Sequence, residues 1–152
     1  MSARRKINEL LEELRILTPG SVAIRWRIID TIARLLLEKR DRKIPYGKAY
    51  IRNKDIVREI HRPTSVDNVV RMLLNFRPRI LEPLDDIETP PQTHFSAEGI
   101  LMLKHEIGIW NEIFNQTDEY DLLKPLIQIL SQRLDEIDRY MQRSDIKESE
   151  SK

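Results

Sequence analysis

The sequence predicts a mainly α-helical fold with a small β-ribbon. Apolar residues recur at three- and four-residue steps over most of the chain, as they do in helices that bury one face. Two short amphipathic patterns, "NKDIVREI" and "VDNVVRMLLNF", lie side by side and are joined by the corner "HRPTS". Two extended runs, "RPRILEPL" and "PPQTHF", flank an acidic turn at Asp85-Asp86. Their prolines, at 78, 83, 90 and 91, fit an exposed ribbon better than a central strand.

The first helical pattern covers residues 3–17, with Ile7, Leu10, Leu11, Leu14 and Leu17 on one face. Pro19 and Gly20 stop it, and Ser21 is placed to cap the next helix, expected at about 22–40. There Val22, Ile28, Ile29, Ile32, Leu35 and Leu36 make a stripe broad enough for the central helix of a core. A basic stretch follows, "KRDRKIPYGKAYIR", broken by Pro45 and Gly47 and ending in a possible strand at "AYI". Asn53 is an N-cap candidate for a short helix over about 54–60, with Ile56, Val57 and Ile60 inward. Thr64 or Ser65 caps the helix after it, and Asp67 completes an approximate capping box with Thr64. Val66, Val69, Val70, Leu73 and Leu74 are its inward face. Ser96 caps a long helix to about 115, with Ile100, Leu103, Ile107, Trp110 and Phe114 in 3-4-3-4 steps. A last helix over about 122–142 tolerates Pro125 in its first turn. Residues 144–152, "SDIKESESK", are expected to be a disordered tail.

Composition excludes several classes of function. There is no cysteine, hence no disulfide, thiolate metal site or cysteine nucleophile. No apolar run is long enough to span a bilayer, and the N-terminus alternates charge and apolar residues, unlike a secretory leader. A cytoplasmic protein without membrane contact is expected. The net charge of +1 hides an asymmetry: residues 1–80 hold 19 Lys/Arg against 9 Asp/Glu, and the remainder 7 against 16. Such a split points to a polyanion partner for the first half.

The order of helices, short strand, helix pair and two-stranded ribbon resembles the winged helix-turn-helix superfamily over about residues 21–96. The corner carries His61, Arg62 and Pro63 where many such proteins place a glycine. The resemblance implies a unit that binds duplex DNA, with a helix at about 65–76 in the major groove. The residues agree with that expectation. Asn68, Arg71 and Asn75 share a face opposite the valines and leucines. Arginine can bond guanine bidentately and asparagine adenine, so these three are the candidates for base readout. Backbone-phosphate candidates are Arg42, Lys43, Tyr46, Lys48, Arg52, Arg62, Thr64, Ser65, Arg77 and Arg79. Asp85, Asp86 and Glu88 would keep the ribbon's tip out of a minor groove, leaving Arg77 and Arg79 at its base to touch DNA.

Residues 1–96 are thus expected to form the DNA-binding domain, and 97–143 a helical extension. Ile127, Leu130, Leu134, Ile137 and Met141 make a coiled-coil-like seam. A homodimer through that seam would set two reading helices about 34–36 Å apart, and a helical hairpin folded back within one chain is the alternative. No catalytic motif, Gly-rich phosphate loop, cofactor site or metal-ligand spacing is present. His61, His94 and His105 read as surface or packed side chains, and Trp26 and Trp110 as core. The expected function is a dimeric, sequence-specific transcriptional regulator that is not an enzyme. Alternatives are a helical adaptor that binds protein and an architectural or partition protein that coats DNA.

Overall fold

The computed structural model describes residues 9, 19–60, 80–83 and 92–150. The expected helix over 3–17, Glu9 apart, the corner and reading helix, and the acidic turn at 85–86 lie outside them. Helix α1 (Pro19–Asp41) leads through a 3-10 turn (Tyr46–Lys48) into strand β1 (Ile51–Arg52) and helix α2 (Asn53–Glu59). Strands β2 (Leu81–Pro83) and β3 (Gln92–Phe95) precede the long helices α3 (Ala97–Phe114) and α4 (Lys124–Glu150). The protein is mainly helical with a small three-stranded antiparallel sheet. Among the described residues no helix is long and apolar enough to cross a membrane.

α1 is the central helix of the core. Ile28, Ile29, Ile32 and Leu36 are fully buried along one stripe, and Trp26 joins them. Thr31, buried in mid-helix, is satisfied by donating its hydroxyl to the Arg27 carbonyl at 2.7 Å. The helix begins at Pro19, two residues before the expected cap, because a proline in the first turn sacrifices no helical hydrogen bond. It ends in a Schellman motif: Ile44 N donates to the Lys39 carbonyl and Lys43 N to that of Arg40. The left-handed position of that motif, usually glycine, is Lys43 at φ 62°.

The sheet has the order β1-β3-β2. Ile51 pairs with Thr93 on one side of β3, and Leu81 and Glu82 pair with Phe95 and His94 on the other. The ribbon expected to be exposed therefore supplies the central strand. Thr93, His94 and Phe95 are all buried, and successive strand residues face opposite ways, so both faces of β3 are covered. Pro83 stays on edge strand β2, where its missing N–H breaks no ladder.

Ser96 caps α3 as its position predicts, accepting from Gly99 N at 2.8 Å. Ser96 N in turn donates to the Ile80 carbonyl at 3.0 Å. The approach is so close that a Cβ on Gly99 would lie 2.2 Å from the Ile80 oxygen, so only glycine fits. At α2 the N-cap is Arg52, not Asn53, and Arg52 makes no side-chain cap bond.

The seam of α4 is buried within the chain, which corrects its assignment as a dimer interface. Ile127, Leu130, Leu134 and Ile137 are each 0% exposed in the single chain. Met141 packs partly buried against the same core. Their partners are α1 and α3, and the helices are pinned by Arg133 to Asp30 at 2.5 Å, Arg25 to Glu106 at 2.6 Å, and Lys104 to Asp135 and Asp138. Gln128, Gln132, Asp135, Arg139 and Gln142 face outward, and the exposed apolar side chains of this segment, Leu122 and Ile129, are not part of the buried seam. The folded-back alternative describes the seam. One apolar core runs from Trp26 to Tyr140, without a break at the expected boundary of residue 96. The tail also differs from expectation, since α4 continues as helix to Glu150. No glycine or proline interrupts residues 144–150, and Lys147, Glu148 and Glu150 are good helix formers.

Replacing Leu134 by Ala is expected to cost about 2–5 kcal/mol in urea unfolding, while light scattering gives the folded variant the mass of the parent chain. A fall in mass would return the seam to an intermolecular role.

Candidate nucleic-acid interface

The basic stretch after α1 is a fastened loop. Three side-chain bonds hold its backbone to the rest of the molecule. Tyr140, from α4, donates its hydroxyl to the Ile44 carbonyl. Tyr46 donates to the Phe95 carbonyl at 2.6 Å. His94 Nδ1–H donates to the Ala49 carbonyl at 2.9 Å. The rings form one stack: His94 lies between Tyr46, at 4.5 Å between centroids, and Tyr50, at 4.0 Å. Tyr140 meets the Tyr46 ring edge-on at 5.2 Å. Such pairs add about 0.5–1.5 kcal/mol each beyond their buried area.

This fastening corrects one expected phosphate contact. Tyr46 is 6% exposed and its hydroxyl is committed to Phe95, so it holds the loop and meets no ligand. Burial pushes its phenol far above the ordinary value. Tyr140 is pushed up to about 12, again by burial. Both stay protonated donors at any physiological pH.

Arg42, Lys43 and Lys48 are exposed. Among the described residues they form no ion pair. Lys43 sits on the left-handed residue of the Schellman turn, and Lys48 closes the 3-10 turn. Arg52 projects from the start of α2 with its side chain 53% exposed, 2.9 Å from Asp55. Arg58, which sequence reasoning passed over, reaches the same carboxylate at 3.0 Å. The hydrogen bond from Arg52 holds the Asp55 carboxyl below its usual range, and the charges of Arg52, Arg58 and Lys54 add to the effect. Arg40 is turned away to Asp41 and Glu136. The loop thus presents cations on a backbone whose position is set by buried hydrogen bonds. The other expected contacts, Arg62, Thr64, Ser65, Asn68, Arg71, Asn75, Arg77 and Arg79, lie outside the described residues.

His94 is the feature sequence reasoning placed least well. It was expected as one packed or surface histidine among three, and it joins the loop to the sheet. Alternation in "QTHF" gave one clue, since it sets His94 on the face opposite Thr93 and Phe95. The i, i+4 pair Tyr46 and Tyr50 gave no clue, because their shared partner is more than forty residues away. Burial lowers the His94 pKa below its ordinary value of 6.5, against the raising effects of the Ala49 carbonyl and of Glu82 at 3.2 Å. Among the described residues no group of three His, Asp or Glu side chains is placed to hold a metal ion.

A histidine whose folded pKa is lowered is protonated first in the unfolded chain. Its contribution to stability is complete above pH 6.5 and is lost as the pH falls below that value. Urea midpoints are therefore expected to drop between about pH 7.5 and 5.5, and His94→Gln should flatten that dependence. An unchanged slope in the variant would remove His94 as its source.

No family model, curated protein or solved structure matches the chain.

Proposed function

We propose that the chain binds double-stranded DNA through a winged helix-turn-helix unit over about residues 21–96, as a transcriptional regulator in the cytoplasm. One observation supports this reading above the others. The short strand before α2 pairs with the ribbon that follows the 61–79 stretch, in the order β1-β3-β2. A strand ahead of a helix pair that closes on a two-stranded ribbon behind it is the arrangement the winged-helix resemblance implies. The expected reading helix, with Asn68, Arg71 and Asn75, falls in the enclosed stretch. The exposed Arg42, Lys43 and Lys48 add positive charge on the loop that leads into β1. A fixed loop of this kind grips phosphates and sets register, while the helix reads bases. Pairing on a two-fold site would use a surface other than the α4 seam.

A protein-binding adaptor is favoured by a different observation. Arg40, Arg52 and Arg58 already hold carboxylates of the same chain, which reduces the charge available to a polyanion. Titration with duplex DNA separates the readings. A regulator neutralising about six phosphates should show a log K against log salt slope near −5 and a preference among sequences. An adaptor shows no binding at low salt, and a coating protein shows the slope without the preference. Asn68→Ala with Arg71→Ala should relax the preference and leave nonspecific binding. Lys43→Gly should weaken all duplexes alike and yet raise stability by about 1 kcal/mol, because it relieves the left-handed backbone. Loss of affinity with loss of stability would mean that Lys43 is structural.

A further inference from the structure

We propose that the cleft between α1, β1 and α2 binds a phosphorylated small molecule with a flat ring, of the size of a nucleoside monophosphate. The cleft has a volume of about 350 Å³, within the range of small-molecule pockets. Leu35, Ile51 and the half-buried Tyr50 ring give it one apolar patch. Lys39, Arg42, Arg52 and Arg58 line it as well. The lining is mostly charged, with Glu38, Asp55 and Glu59 beside the four cations, and the small apolar patch at Tyr50 leaves room for the flat body of a ligand whose other end is charged.

The charges favour an anionic end. Asp55 brings two guanidinium groups to one point, Arg52 at 2.9 Å and Arg58 at 3.0 Å. These side chains are 53% and 71% exposed, so both can turn to a second oxyanion without leaving a buried charge behind. Guanidinium forks suit phosphate oxygens in this geometry. Lys39 and Arg42 form no ion pair among the described residues. Glu59, also in the lining, is already held by Arg34 at 3.2 Å, and Glu38 is left as a lining carboxylate with no ion pair among the described residues. A phosphate monoester carries the charge to engage the four cations together.

Arg42 and Arg52 are also expected DNA-backbone contacts, so occupancy of the cleft competes with duplex binding. Only this competition rests on the DNA reading. Binding in the cleft does not.

Calorimetric titration of the full chain without DNA, in low-chloride buffer, provides the test. The probes are adenosine 5′-monophosphate, adenosine and inorganic phosphate. The monophosphate is expected to bind saturably and more tightly than either fragment. Arg58→Gln, at an exposed position outside the expected DNA contacts, should weaken it at least about tenfold with an unchanged circular dichroism spectrum. Absence of saturable binding, an equal affinity for either fragment, or an unaffected Arg58→Gln variant overturns the proposal. In a second arm the monophosphate is expected to displace bound duplex from the parent protein. Nucleotide binding in a chain that binds no duplex at any salt removes the DNA reading and keeps the cleft. Duplex binding with no nucleotide binding removes the cleft alone.

Discussion

A strand buried on both faces must find a partner for each of its polar groups, because an unpaired one costs about 1–3 kcal/mol. Residues 92–96 meet that requirement by tying together most of the molecule. Thr93 pairs with β1 through its backbone and donates its hydroxyl to the Glu82 carbonyl on β2. His94 reaches Ala49 and Glu82, and the Phe95 carbonyl accepts from Tyr46. Ser96 bonds Ile80 and caps α3. The demands of this short segment fix the cationic loop, the edge strand and the start of a core helix together.

The loop gains from that requirement. A nine-residue connection with proline and glycine in it, residues 42–50, would ordinarily sample many conformations, and a ligand would bear the cost of ordering it. Here the backbone is already ordered from Ile44 to Ala49, and only the long cationic side chains remain free to adapt. Any anion that met the loop would lose little to ordering it. The surface is also more specific than its composition implies, since Arg40 and Arg52 are held by carboxylates of the same chain while Lys39, Arg42, Lys43 and Lys48 form no ion pair among the described residues.

Much of the helical framework was legible because amphipathic spacing is a local signal. The stripe of α1, the capped start of α3 and the proline in the first turn of α4 each follow from a few neighbouring residues. Features that depended on distant partners were not legible. The 3-4-3-4 seam of α4 has the same pattern whether it packs on α1 or on a second copy, and only the fold places Asp30 opposite Arg133. The short strand around "AYI" is readable by itself, but the central position of β3 depends on its pairing with that strand some forty residues earlier, which no local signal marks. At the candidate interface the exposed cations were readable, while the burial of Tyr46 was not, because its hydroxyl partner is a backbone carbonyl in another element. The helical backbone of residues 144–150 is not legible either, because a polar stretch reads alike whether it is helical or unstructured.

The bond from Tyr140 to Ile44 spans 96 positions along the chain. During synthesis the loop leaves the ribosome long before its clasp does. An unfinished chain that stops short of α4 presents the same cations on an unclasped backbone, and the α1 stripe stays open to solvent. The loop therefore gains its clasp only after residue 140 has been made. A truncation ahead of Tyr140 would release the backbone of a loop that belongs to a distant part of the sequence.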